Sequence, residues 1–171
     1  MSSSVVDREA ITAAFDALDG ALDTVVGLNF DALSTYEWLV LLQRCERVRR
    51  RIPVPEHQLI NHLARQASPE ELGGKLSHAI AEWTLTTRAD AARRIGEATD
   101  LGARHGLTGQ PLPPILAATA QRQRDGTLGA GHVAVIRRFY HQLPGWIDQG
   151  TRERVETHLA KQARVSARAV L

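Results

Sequence analysis

The sequence holds a single cysteine, Cys45, among 171 residues. One thiol cannot form an internal disulfide, and it cannot supply the thiolate pairs of the usual structural zinc site. The lack of a disulfide fits a reducing compartment, and the cytoplasm is the expected location. Long apolar runs are missing as well. No stretch approaches the roughly 20 apolar residues that a membrane span needs. The opening MSSSVVDREA has neither the basic start nor the apolar core of a secretory signal. No membrane partner is expected. Lysine is nearly absent, since nineteen of the 21 bases are arginine. Codon usage in a GC-rich genome explains this more simply than a demand for bidentate phosphate contacts.

Catalytic signatures are also wanting. The seven histidines contain no H-x-x-x-H pair that would set two ligands on one helical face. There is no G-x-S-x-G, no P-loop and no dinucleotide fingerprint. LGARHGLTGQPLPP is glycine-containing, but it follows a helical pattern and leads to no K-[ST]. His78 and Glu82 are spaced four apart, and two groups do not make a metal site. The residues therefore give no catalytic constellation, no metal and no cofactor.

What is present is helical periodicity. Ile11, Phe15, Leu18, Leu22 and Val25 form one apolar row in an acidic N-terminal helix, assigned to residues 1–30. Residues 31–171 are read as the helical domain. Ser34 and Glu37 make a capping box, with Leu33 and Trp38 at the staple positions. That helix runs to about Arg51, where IPVPEH imposes a break. HQLINHLARQA is the next helix, and Ser68, Pro69 and Glu71 start another that continues through ELGGKLSHAIAEW past Gly73 and Gly74. LTGQPLPP reads as a loop, and a short helix over 114–124 ends at Gly126. Leu128, His132, Val135, Ile136, Phe139 and Leu143 predict a largely buried helix. A last helix from about Thr151 carries Val155, Leu159, Ala163 and Val170. No run alternates with period two. The expected class is all-α, a bundle of six to seven antiparallel-type helices with no sheet.

Two segments could meet nucleic acid. WTLTTRADAARRIGEATDLG, residues 83–102, has the outline of a helix-turn-helix. A helical wheel puts Ala89, Ala92, Ile95, Gly96, Ala98 and Thr99 on the core side, and Leu85 in the preceding turn as a core contact. Asp90, Arg93, Arg94, Glu97 and Asp100 then lie outside, with Asp90–Arg94 and Arg93–Glu97 as i,i+4 pairs. Phosphates would repel Glu97 and Asp100, so a core helix is expected here rather than a DNA reader. LVLLQRCERVRRR, residues 39–51, is the better candidate. Trp38, Leu41, Leu42, Cys45, Val48 and Ile52 share one side, and Arg44, Arg47, Arg50 and Arg51 lie opposite with Glu46. Such a stripe near a helix C-terminus can track a phosphate backbone. A solvated face, or a dock for the acidic N-terminal helix, is the simpler account of the stripe taken alone, because charge runs are usually solvated surface. Residues 1–43 hold seven acids and one base, and the remainder 20 bases and 12 acids.

The succession RCERVRRR, LINHLARQASPEELGGKLSHAIAEWTLTTRADAARRIGEATDLGAR, LTGQPLPPILAATAQRQRDGTLGAGHVAVIRRFYHQLPGW and TRERVETHLAKQ resembles the mycobacterial 13E12 repeat family. The likeness is to its N-terminal helical region, domain-of-unknown-function family 222, from about residue 30 onward. Members of that family commonly continue into an HNH nuclease module, whose histidines and Asn or His hold a divalent metal that activates water. None of those stretches occurs in these 171 residues, so no catalytic residue carries over. The resemblance implies a non-catalytic accessory domain of an HNH-endonuclease-like, mobile-element-associated protein, truncated at its C-terminus. Its expected partner is double-stranded DNA, held by Arg44, Arg47, Arg50 and Arg51. The alternatives are an interaction or oligomerisation module and a degenerate repeat copy without independent function. The interaction module would pair with a second copy or with the absent nuclease region. It would use Ile11, Phe15, Leu18, Leu22 and the end around Val165 and Val170.

Overall fold

A computed structural model describes residues 8–106 and 108–166, with the side chains of 164–166 left aside. The chain falls into two compact units, residues 1–42 and 43–171. In the first unit, α1 (Arg8–Val26) carries the expected apolar row, and all five of its members are exposed. The helix α2 (Thr35–Arg51) begins in this unit and ends in the second. Its start follows the capping box, with the Ser34 backbone N–H donating to Glu37 Oε2 at 2.8 Å. The Ser34 side chain also bonds that carboxylate, which holds the Glu37 carboxyl below its usual range. The Trp38 indole N–H donates to the Phe30 carbonyl at 2.9 Å and ties down the loop before the helix.

In the second unit, proline at the first position starts α3 (Pro53–Gln66). The single turn α4 (Pro69–Leu72) opens on a complete Ser68–Glu71 capping box. It does not run on through the glycines as the sequence suggests. Gly73, at φ +66°, takes the left-handed conformation that closes a helix, and α5 (Leu76–Trp83) begins afresh. Thr87 caps α6 (Arg88–Leu101) by accepting from the Asp90 N–H. The expected loop then contains a minimal antiparallel ladder, β1 (Arg104–His105) against β2 (Pro111–Leu112), with Arg104 opposite Leu112. This corrects the expectation of no sheet. The Gly106 N–H donates to the Gln110 carbonyl, and that turn brings the two strands together. α7 (Ala117–Arg124), α8 (Ala130–Gln142) and α9 (Gln149–Ser166) complete the fold, which is all-α apart from this ladder. Val170 and the side chain of Val165 lie outside the described residues.

Two apolar clusters hold the second unit together. Ile60 of α3, Ile80 and Ala81 of α5, and Ala91 and Ala98 of α6 form one. The fully buried alanines let α3 and α5 approach α6 closely. Leu101, Leu116, Leu128, Val133, Ile136, Tyr140 and Ala160 form the other, so α6 contributes to both. The buried row of α8 differs from the expected one. Val133, Ile136 and Tyr140 face inward, whereas His132, Val135 and Phe139 are exposed. Tyr140 is anchored because Arg152 of α9 lies over its ring, 5.7 Å from the centroid.

Candidate nucleic-acid interface

The arginine face of α2 packs differently from its wheel. A Cβ on Gly126 would lie 2.6 Å from Arg47 Cγ, 3.1 Å from the Arg47 carbonyl oxygen and 3.2 Å from Arg51 Cγ. The aliphatic stems of Arg47 and Arg51 therefore rest on the turn after α7. Arg50 Nε would lie 3.4 Å from a Cβ on Gly129, which immediately precedes α8. Cys45 and Val48, placed by the wheel on the apolar side of α2, are both exposed, so that side is not turned wholly inward. Long arginine stems can cover a neighbouring backbone while the guanidinium stays in water.

The four arginines are not equivalent. Glu46 accepts from Arg49 Nη1 at 2.5 Å and from Arg50 Nε at 3.0 Å. These two bonds, Arg49 first, hold the Glu46 carboxyl below its ordinary range. Arg50 is thus half-buried and already paired. Among the described residues no carboxylate lies within ion-pair distance of Arg44, Arg47 or Arg51, and all three are exposed. The last turn of α7 adds Arg122 and Arg124, which enter no ion pair among the described residues. Gly126 follows Arg124 by two residues, so the turn that ends α7 is the one that bears on Arg47 and Arg51. Sequence reasoning missed this second group. Its only signal was a pair of arginines before the expected terminal glycine.

The helix α6 corrects a second expectation. Glu97 and Asp100, assigned to its outer face, are buried, while Ala89, Ala92 and Thr99, assigned to its core face, are exposed. Asp100 Oδ2 accepts from Arg137 Nε at 2.7 Å and lies 2.9 Å from His141 Nε2, both on α8. Glu97 Oε1 accepts from Arg93 Nη1 at 2.7 Å, with Arg137 Nη1 at 3.8 Å. The two expected i,i+4 pairs both form, with Arg94 Nε 2.7 Å from Asp90. Arg93 first, then Arg94, holds the Asp90 carboxyl below its usual range against the opposing effect of burial. Leu85 provides no core contact. It is 93% exposed with φ +53°, beside Trp83 at 89%. The solvent face of α6 presents small residues with only Arg88 outside an ion pair among the described residues, so it offers phosphates little.

Among the described residues, no three His, Cys, Asp or Glu side chains are grouped to hold a metal ion. No helix there is long and apolar enough to cross a membrane. The family model described as a domain of unknown function, DUF222, matches residues 39–171. The chain belongs to the DUF222 family. It is 55% identical over 156 residues to an uncharacterized protein of Mycobacterium tuberculosis strain H37Rv, covering 91% of this chain and 35% of the relative. A second uncharacterized protein of that strain is 56% identical over 153 residues, covering 90% and 34%. One from Mycobacterium bovis is 49% identical over 156 residues, covering 91% and 34%. This DUF222 chain therefore spans about a third of the length of the curated relatives it matches. No solved structure matches it.

Proposed function

We propose that this chain is a non-catalytic helical domain that binds double-stranded DNA through its phosphates, as the accessory part of an HNH-endonuclease-like, mobile-element-associated protein. The observation that carries the DNA reading is the exposed row of Arg44, Arg47 and Arg51 on α2, none paired to a described carboxylate. Of these, Arg51 lies in the last turn of the helix, where the peptide dipole favours cations. Contacts of this kind give affinity and register without choosing a sequence. The nuclease association rests on the family resemblance alone.

Fluorescence anisotropy of a labelled duplex, titrated at several salt concentrations, tests this reading. Binding should weaken steeply with salt. An Arg47/Arg50/Arg51 triple alanine variant should lower the slope of log K against log salt by about 0.9 for each phosphate no longer neutralised, with Arg50 contributing least. Absence of binding at low salt, or a variant that binds like the parent, would overturn it. One observation favours an interaction or oligomerisation module as a second reading. The apolar row of α1 is exposed along its whole length.

A further inference from the structure

Neither α1 nor α2 buries a single one of its residues. Each carries a row of large apolar side chains that stay at least 37% exposed, from Ile11 to Val25 on one and from Trp38 to Ile52 along the other. Helices of this length draw most of their stability from covering such a row, and Gly20 weakens α1 further. Both rows therefore call for a partner.

The rows match each other. Ile11, Phe15, Leu18 and Val25 recur as Trp38, Leu42, Cys45 and Ile52, each 27 residues further along, and Leu22 alone meets a charged position, Arg49. The charges beside the rows are opposite. Asp16, Asp19 and Asp23 directly follow Phe15, Leu18 and Leu22, and Arg44, Arg47 and Arg51 directly precede Cys45, Val48 and Ile52. Neither set enters an ion pair among the described residues. Acids and bases thus border their rows on flanks of opposite hand. Parallel helices packed face to face bring flanks of opposite hand together, whereas antiparallel helices bring together flanks of the same hand. A parallel α1–α2 pair sets the aspartates along the arginine flank. Pairing α1 with another α1 leaves them without those arginines.

This geometry excludes the chain's own α1. Parallel alignment puts Thr35 beside the start of α1, about 27 Å from the end of that helix. The residues between the helices, 27–34, would barely reach that far if fully extended. They are instead folded by bonds from the Gly27 N–H to the Asp23 carbonyl, the Leu33 N–H to the Phe30 carbonyl and the Asp31 N–H to Asn29 Oδ1. We infer that the partner is a second copy of this chain, with α1 of each copy lying parallel to α2 of the other in a two-fold dimer. The contact is made twice and covers on the order of 1,000 Å2 of apolar surface, the scale of a specific interface. The inference rests on the interaction reading above. It gives Arg44, Arg47 and Arg51 aspartates as partners in place of phosphates.

Cys45, the single thiol of the chain, reports the register, because it falls opposite Leu18. The full chain carrying Leu18→Cys, oxidised by air with a copper catalyst, should give a covalent dimer whose peptides join position 18 of one copy to Cys45 of the other. The same substitution combined with Cys45→Ser should give no covalent dimer. In sedimentation, Asp16→Arg/Asp19→Arg/Asp23→Arg should raise the dissociation constant of the dimer at least about tenfold, from several weak exposed pairs acting together. These positions are all exposed, so the variants keep the fold. A covalent dimer without Cys45, or a dimer indifferent to the three reversals, would show another pairing and overturn the inference while the interaction reading stands. A bridge within one chain would show α1 folded back on its own α2 and would overturn it too. A parent that stays monomeric at every concentration and never cross-links would overturn both, and duplex binding would still decide the DNA reading.

Discussion

His57 lies on the third helix with no described side chain to take its hydrogen bonds, so its burial has a measurable consequence. In the unfolded chain an imidazole titrates near 6.5, and in the fold it titrates at about 4. The unfolded state thus takes up the proton first. Stability from this residue is complete above the unfolded value, declines as pH falls from about 6.5 toward about 4, and levels off below that. The loss between pH 7 and pH 5 should be about 2 kcal/mol. Urea unfolding of the parent and a His57→Leu variant at both pH values checks it, because the difference between the two chains should shrink by that amount. A constant difference would show that His57 is not buried neutral. Asp100 meets burial in the opposite way. Its carboxylate is paired with Arg137 and His141, which reach it from a helix 37 and 41 residues further along. A wheel drawn for one helix contains no information about such partners, so charge alone sent Asp100 and Glu97 to the wrong face. The same wheel found Asp90–Arg94 and Arg93–Glu97, because i,i+4 neighbours are fixed by the helix itself.

Between elements, a few contacts set the geometry of the proposed phosphate surface. Glu156 of α9 is buried at the start of α7. It accepts from the Thr119 N–H at 2.6 Å and the Thr119 hydroxyl at 2.5 Å, with the Ala118 N–H at 3.3 Å. Leu116, before α7, has no side-chain cap of its own, so this carboxylate from another helix satisfies the open N–H groups. At the other end of α7, Gly126 has φ +71° and lies against Arg47 and Arg51. Gly126→Ala should destabilise the protein by roughly 1–2 kcal/mol from the left-handed backbone alone. Its Cβ should also displace Arg47 and weaken duplex binding with every arginine still present. Thermal unfolding and anisotropy on one preparation separate the two effects. Unchanged binding would mean that α7 and α2 do not act as one surface. The glycine was visible in the sequence as a helix terminator, and its second task, holding two arginine stems, was not.

Over the whole molecule, charge and apolar exposure are unevenly shared. Residues 1–43 are acidic and the remainder basic, and α1 exposes Ile11, Phe15, Leu18, Leu22 and Val25, each at least 43% accessible. Such a row on a helix of 19 residues is wide enough to recognise a second helix. If it pairs copies of this chain, sedimentation at rising concentration should show a dimer that disappears when residues 1–28 are removed. A strictly monomeric parent would retire the interaction reading and leave the phosphate surface as the better account.

The sequence by itself determined the helical class, the capped starts at Ser34 and Ser68, the break at Pro53, the stop at Gly126 and the membership in DUF222. Each rests on chemistry within a few residues, or on order along the chain, and both survive without knowledge of packing. The tertiary structure alone decided which sides turn inward. It buried Glu97 and Asp100, exposed Cys45, Val135, Phe139 and Leu85, and set the turn at Gly126 against Arg47 and Arg51. Burial of a charge depends on whether a partner arrives from elsewhere to replace water, and burial of an apolar group depends on which neighbour covers it. Those partners come from helices tens of residues away.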